Sequence, residues 1–397
     1  VSELPLRSEP ALTAEADRAG ASSGERIRHI TAVGITEWLD RHSGRLFVLP
    51  AVLLILSFSI FPLIISAWLS LSRFKLVTTG FELKYIGLAN FRKLLFGSQQ
   101  FHFLGTFTEI SPFGGLIMLA GFGAIAWTLY RYLASGSISV LGLIGRLIAF
   151  SLLGGIVLMF GTTIGGKSQI GSLSTTIFYV TAGVAVQFLI GMGLAFLCSQ
   201  KIAGRSFFRV VFFIPLMVTP VGIAYTFRML ADMKFGPFAP LWSAMGLGQF
   251  AWAANPWSAR WVVVIGDSWQ WIPFVFIVML AAFESQPRDE VEAAELDGAS
   301  PLQIFRDITW PSVAPVAATV VLIRVIEAFK MVDLPNVLTN GGPGIASESL
   351  TLHAFMEWRA LNLGGSAAIA YSLLFVSTIL CVAFFNLIVQ PMRRERA

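Results

Sequence analysis

Runs of about 20 mostly apolar residues recur along this chain, each long enough to cross a bilayer as a helix. They fall near 46–71, 113–131, 147–164, 174–199, 207–231, 261–285, 312–334 and 366–390. The pattern predicts an all-α integral membrane protein with about eight transmembrane helices. The second and third runs differ from the rest: they are rich in Gly, Leu and Ile and carry almost no polar side chain beyond Ser and Thr. They are expected to pack peripherally, against lipid or a neighbouring helix. Residues 1–45 are polar and charged, with no short apolar core near the start, so no secretory signal is expected and the tail should stay where it is made. Within that tail Ile27, Ile30, Gly34 and Trp38 share a helical stripe beside Ile35 and Leu39, which suits either a helix lying on the membrane surface or a disordered segment.

Composition agrees with the runs. With 55% hydrophobic and 13% charged residues and 34 phenylalanines, the chain is too apolar for an ordinary soluble domain. Its net charge of +5 would suggest nucleic acid in a soluble protein, but the cations cluster at the ends of apolar runs and are read as setting topology. Arg393, Arg394 and Arg396 fall on the same side as Lys201, Arg205 and Arg209, which should be cytoplasmic. Arg73, Lys75, Lys84, Arg92 and Lys93, in the first outer loop, oppose that trend. The two cysteines, Cys198 and Cys381, lie in or at the end of apolar segments and imply neither a disulfide framework nor a metal site.

Residues 286–311 form a polar island between two long apolar runs. Gln286-Pro287 suits a helix start, with Glu290, Glu292 and Glu295 in the early turns, and Asp297-Gly298 a helix end. Ser300-Pro301-Leu302-Gln303 is a capping box that predicts a second short helix, with Leu302, Phe305 and Ile308 on its apolar face. Two short helices joined at a glycine would make a compact knob. By itself such a knob could merely connect spans or give a soluble partner a grip.

Here the residues carry a pattern. Glu292, Ala293, Ala294, Gly298, Ile308 and Pro311, with Asp297 beside the glycine, resemble the EAA loop of ATP-binding-cassette importer permeases, although Trp310 stands where leucine is usual. The likeness extends through Gly204-Arg205, Phe208-Arg209, Pro215 and Pro220, and through Leu338 to Gly344, which is similar to the Thr-x-Gly-Gly-Pro outer loop of the carbohydrate branch that includes the larger maltose-type permease. The resemblance implies a type I importer permease core with a cytoplasmic coupling loop. With the spans placed by the apolar runs, the chain divides into a cytoplasmic tail (1–45), a first helix and outer loop (46–112), two additional helices (113–164) and the permease core (174–392) with coupling loop 286–311. The resemblance further implies a second permease, two ATPase subunits on the EAA loops, an extracytoplasmic solute-binding protein, and a multi-pass place in the bacterial inner membrane with both termini cytoplasmic. No cofactor or metal is expected in this chain; ATP and Mg are expected on the ATPase partners, and the chain is expected to lack a phosphate loop and catalysis of its own.

Ionisable side chains inside spans are costly and usually face an interior or cavity. The seventh span offers Arg324, Glu327 and Lys330, with Asp333 near its outer end, and Arg324 and Glu327 are spaced to pair. They read either as a polar lining for sugar hydroxyls or as a neutralised pair that holds the partner permease. The sixth span carries Asp267, Trp269, Gln270, Trp271 and Phe274 around Pro273, either stacking on sugar faces or forming an interfacial aromatic belt. Likeness to the maltose-type permease places solute contacts at Asp267, Gln270, Trp271, Phe274, Arg324, Glu327, Ala328 and Met331. Arg228 in the fifth span leaves room for an anionic sugar derivative. An ion-coupled secondary transporter is the alternative, but it needs no cytoplasmic knob and no inverted repeat is evident. His29, His42, His102 and His353 lie outside the spans and support neither histidine catalysis nor a metal site.

Overall fold

The computed structural model describes residues 47–78, 80–106, 111–134, 169–200, 204–248 and 250–386, with scattered helical positions between 146 and 161. The expected tail helix, most of the third run and Arg393, Arg394 and Arg396 lie outside the described residues. The chain divides into two compact units, Val1–Ser66 and Ala67–Ala397. The described part of the first belongs to helix α1, Phe47–Ser70. A π-helical turn at Leu56–Ile60 precedes Pro62, which has no N–H to give the helical ladder.

The second unit opens with an antiparallel hairpin, β1 Ser72–Val77 and β2 Gly80–Tyr85, which the run of apolar segments did not mark. Lys75 stands opposite Glu82 there, while Arg73 stands opposite Lys84. Helices α2 Ala89–Phe96, α3 Gln100–Phe103, α4 Pro112–Ala134, α5 Ser172–Ser199, α6 Arg205–Phe213, α7 Pro220–Ala231, α8 Ala239–Ala244, α9 Pro256–Glu284, α10 Arg288–Leu296, α11 Pro301–Phe329, α12 Asp333–Thr339, α13 Leu350–Arg359 and α14 Leu363–Phe384 follow. Among the described residues α1, α4, α5, α9, α11 and α14 are each long and apolar enough to span a membrane.

Two expectations about the spans need correction. The fifth span is not one helix: Ser206–Met217 and Pro220–Ala231 meet at a bend of 100°. Pro215 sits in a 3-10 turn, Val218 is extended, and Thr219 caps the next helix ahead of Pro220. Neither proline can donate to the helical ladder, and the residue before Pro220, Thr219, is extended, so the chain turns instead of continuing. The second helix of the polar island is also not a separate short element. It is the first turn of α11, which runs from the Ser300 capping box through a π-helical turn at Phe305–Thr309 and on past Pro311 and Pro315 to Phe329. The widened turn stands just before Pro311, which has no N–H to give the carbonyl of Asp307.

The core is organised around α9. Ala195 and Cys198 of α5, Val275, Phe276, Met279 and Leu280 of α9, and Val313, Ala317 and Val320 of α11 form one buried apolar cluster. Between α5 and α9 the backbones approach closely at Gly191, where a Cβ would sit 2.7 Å from Val275 Cβ and 3.0 Å from the Ile272 carbonyl oxygen. Small residues at such crossings let dispersion contacts replace the hydrophobic drive that lipid cannot supply. Gly193, one hundred or so degrees further round each residue and two along, faces open space. Gly191→Ala is therefore expected to lose about 1–3 kcal/mol through overpacking, while Gly193→Ala loses nothing and gains slightly in helix propensity. Thermal unfolding of the detergent-solubilised protein checks this, and equal midpoints for the two variants would contradict the close crossing.

Candidate functional site

A charge in an apolar helix must find its partner within a side chain's reach, and Arg324 of α11 finds two. Its Nε donates to Gln187 Oε1 of α5 at 2.6 Å, and its Nη2 donates to Asp267 Oδ2 of α9 at 2.7 Å. Gln187 Nε2 closes the ring by donating to the same Asp267 oxygen at 2.7 Å. All three residues are buried. The guanidinium also lies over the indole of Trp271, 4.4 Å from the ring centroid, and Trp271 meets Phe274 edge to face. A cation over an indole is attracted by the ring's negative face, so the indole orientation is tied to the ion pair.

The other positions expected to meet solute divide into three environments. Gln270 donates Nε2 to the Val218 carbonyl at 3.2 Å, satisfying an acceptor that the break between α6 and α7 leaves without a helical partner. Glu327 does not bond to Arg324 as its spacing suggested. It accepts from Lys330 Nζ at 2.7 Å and is about a third exposed. Ala328 packs with Val180, Val184 and Phe329, and Met331 with Tyr179, Val263 and Leu334, all within apolar clusters. Trp271 and Phe274 are half-buried. Arg228, the further cation, is exposed and donates Nη1 to the Val337 carbonyl at 2.9 Å. Asp267 lies well inside α9, because that helix begins at Pro256, earlier than the apolar run suggested.

The polar island forms a second site. Helix α10 ends as Asp297, Gly298 and Ala299 donate to the carbonyls of Ala293, Glu295 and Ala294, with Gly298 left-handed at φ +79°. That closure is one glycine accepts at no steric cost. Ser300 then caps α11: its N–H donates to Gln303 Oε1 at 2.8 Å while its Oγ accepts from the Gln303 N–H at 3.4 Å. Between the two helices lies an open groove of about 680 Å³ lined by Glu290, Ala293, Ala294, Asp297, Asp307, Ile308, Pro311 and Ser312. Glu292 and Gly298 are exposed on the same element, and Leu296 and Leu302 show 89% and 76% of their surface. Leu302 is thus left exposed, whereas Phe305 packs against Phe196.

Sequence reasoning passed over two features. Gln187 is an amide inside the apolar α5, and the cost of such a group in a span was the available signal. His102 and His353 gave no sign of meeting, yet their rings stack at 3.8 Å. One expectation also fails on the sequence itself: residues 161–168, Gly-Thr-Thr-Ile-Gly-Gly-Lys-Ser, do have phosphate-loop spacing. That motif needs a preceding strand, whereas the described residues from 150 to 161 are helical and 162–168 lie outside the described residues. Packing accounts for Gly161, where a side chain would collide with Met118 of α4.

Residues 187–395 match the family model described as the binding-protein-dependent transport system inner membrane component. The trehalose/maltose transport system permease protein MalF of Thermococcus litoralis is 31% identical over 57% of this chain and 75% of its own length. The sn-glycerol-3-phosphate transport system permease protein UgpA of Escherichia coli is 28% identical over 57% of this chain and 77% of its own length. The crystal structure of a bacterial ABC transporter involved in import of the acidic polysaccharide alginate shares the fold, with a TM-score of 0.58 and 15% identity over 91% of this chain and 98% of that one.

Removing one partner from a buried ion pair strands the other. Asp267→Ala is expected to cost about 3–5 kcal/mol, and adding Arg324→Met to it should recover much of that loss because an apolar pair needs no partner. Unfolding of both variants in detergent gives the comparison. A single variant as stable as the parent would show that the triad does not hold the three helices.

Proposed function

The chain belongs to the inner membrane component family of binding-protein-dependent transport systems, and we propose that it forms, with a second permease, half of the membrane pathway for a sugar or sugar derivative. It is a permease subunit of the ATP-driven class, and no comparison favours ion coupling. The observation that carries the proposal is the continuity of α11. One helix bears Ile308, Pro311 and Ser312 on the groove at its start and Arg324 and Glu327 on the polar site further along. At 1.5 Å per residue the two ends of that lever, Pro301 and Arg324, are about 35 Å apart.

On this reading two ATPase subunits, which hold ATP and Mg, seat one on each permease at the groove between α10 and α11. Exposed Leu296 and Leu302 and the acidic rim of Glu290, Glu292 and Asp297 are what this chain offers them. A push on the groove is transmitted along α11 to the helices that share the buried triad, because a hydrogen-bonded ion pair moves as a unit or breaks at large cost. By linkage, nucleotide favours the outward-open state by as much as that state favours nucleotide. Trp271, Phe274 and Glu327 are the proposed solute contacts. Aromatic faces pack on the C–H faces of sugar rings and carboxylates fix hydroxyls. Asp267, Arg324 and Gln187 position Trp271, Gln270 holds the α6–α7 break, and Ala328 and Met331 shape the wall behind. The loop 286–311 and both termini would be cytoplasmic in the bacterial inner membrane, with a solute-binding protein docking on the opposite face and residues 113–164 peripheral.

Reconstitution of the complete importer with its binding protein tests both halves. Glu292→Lys or Gly298→Trp is expected to reduce solute-stimulated ATP hydrolysis about tenfold or more while the two permeases still copurify. Trp271→Ala and Glu327→Ala should leave assembly and basal hydrolysis intact and weaken solute stimulation by about tenfold, the worth of one aromatic or hydrogen-bonded contact. Normal uptake in the first pair would refute docking at the groove; unchanged solute dependence in the second would move the solute path elsewhere.

A further inference from the structure

The helical unit has a second cluster of ligand-type side chains, at the end opposite the connection between α9 and α11. There α3, the turn after α12 and the start of α13 converge. His102 and His353 stack with centroids 3.8 Å apart and ring planes 20° apart. Glu348 Oε2 lies 2.9 Å from His102 Nε2. One ligand atom from each of His102, Glu348 and His353 falls within 4.8 Å of the other two.

Two atoms of this cluster have no hydrogen-bond partner among the described residues: Glu348 Oε1 and His353 Nε2. Both residues are deep, with Glu348 6% and His353 0% exposed. An unpaired buried polar atom costs about 1–3 kcal/mol, and two imidazoles face to face beside a carboxylate are not an arrangement that apolar packing selects. On its far side His353 Nδ1 is 2.9 Å from Ser172 Oγ. In the tautomer that donates Nδ1–H to that hydroxyl, the Nε2 lone pair is presented to the cluster. Metal-binding histidines are oriented in this manner by a hydrogen bond from the nitrogen that does not bind the metal.

We propose that His102, Glu348 and His353 bind a divalent transition-metal ion of the zinc class. Two imidazoles and one carboxylate suit zinc and its neighbours, whereas calcium and magnesium take oxygen donors alone and copper(I) takes thiolates. Glu357 is near, with Oε1 4.0 Å from His353 Nε2, but its two oxygens already accept from Gln99 and Asn362. The fourth position is therefore left to water. Binding draws the ligand atoms from as far as 4.8 Å to about 3.4 Å, the edge of a tetrahedron with bonds of about 2.1 Å. His102 supplies that movement, since its side chain is 31% exposed and sits on the four-residue α3. A bound ion would staple α3 to the turn after α12 and to α13, and through Ser172 to the start of α5.

The test uses the full chain in detergent, stripped with chelator and titrated with zinc chloride. The expected results are one saturable equivalent of zinc per chain, a higher thermal midpoint on loading, and no such shift with magnesium chloride. His102→Gln keeps a donor toward Glu348, and Glu348→Gln is isosteric; each should weaken zinc binding about tenfold or more. Absence of saturable zinc uptake, or uptake equally tight in both variants, would overturn the proposal.

Discussion

A guanidinium in the middle of an apolar helix cannot be left to itself, and its neutralisation fixes how three helices meet. Arg324 is buried, and its donors reach Gln187 on α5 and Asp267 on α9 at 2.6 and 2.7 Å. Those contacts set rotation and height of α11 against both neighbours far more narrowly than apolar surfaces can, because methyl groups slide at small cost and a stranded charge does not. The close crossing at Gly191 brings α5 and α9 near enough for Gln187 and Asp267 to share an oxygen with the cation. Packing and polar satisfaction thus support the same arrangement. Trp271 takes its position from the same charge.

Around this trio several connections are tied to the helices by side-chain hydrogen bonds, Glu348 Oε1 and His353 Nε2 excepted. Val218, exposed by the break between α6 and α7, is met by Gln270. The turn after α12 folds inward: Arg260 Nε donates to the Ala346 carbonyl at 2.6 Å, Tyr179 Oη to the Ser347 carbonyl at 2.8 Å, and Ser349 Oγ to the Met331 carbonyl at 2.7 Å. The segment 335–365, between the last two apolar runs, is largely helix and pinned turn. On the proposed reading, the pinned turn at this end and the continuous α11 would keep motion imposed at the groove from being dissipated in loops. The break in the fifth span offers the contrasting element, a place where two helical segments can change their angle without unmaking a continuous ladder.

The membrane-spanning character, the position of the first, second and fourth apolar runs to within about three residues, and the capped polar element between two spans were legible in the residues. Length and hydropathy decide whether a segment can lie in lipid, and both are local properties. The Ser300 capping box and the Asp297-Gly298 stop were legible for the same reason, since caps are satisfied by residues three or four apart. Where sequence reasoning failed, it failed on partners. Arg324 and Glu327 are three residues apart and were paired on that ground, but the tertiary arrangement gives Arg324 to Asp267 and Glu327 to Lys330. A nearer carboxylate in sequence loses to one that is already desolvated on a packed helix and supported by a third polar group.

Sequence alone therefore determined that this chain crosses the membrane repeatedly, that it carries a capped polar element between two spans, and which family pattern that element follows. Tertiary structure alone decided that Gln187 belongs to the charged site, that the fifth span breaks through 100°, and that His102, Glu348 and His353 meet. The division has one physical cause. Burial in lipid and helix capping are settled within a few turns of chain, whereas neutralising a buried charge or gathering ligands depends on which helices cross, and residues far apart in sequence say nothing of that until the backbones touch.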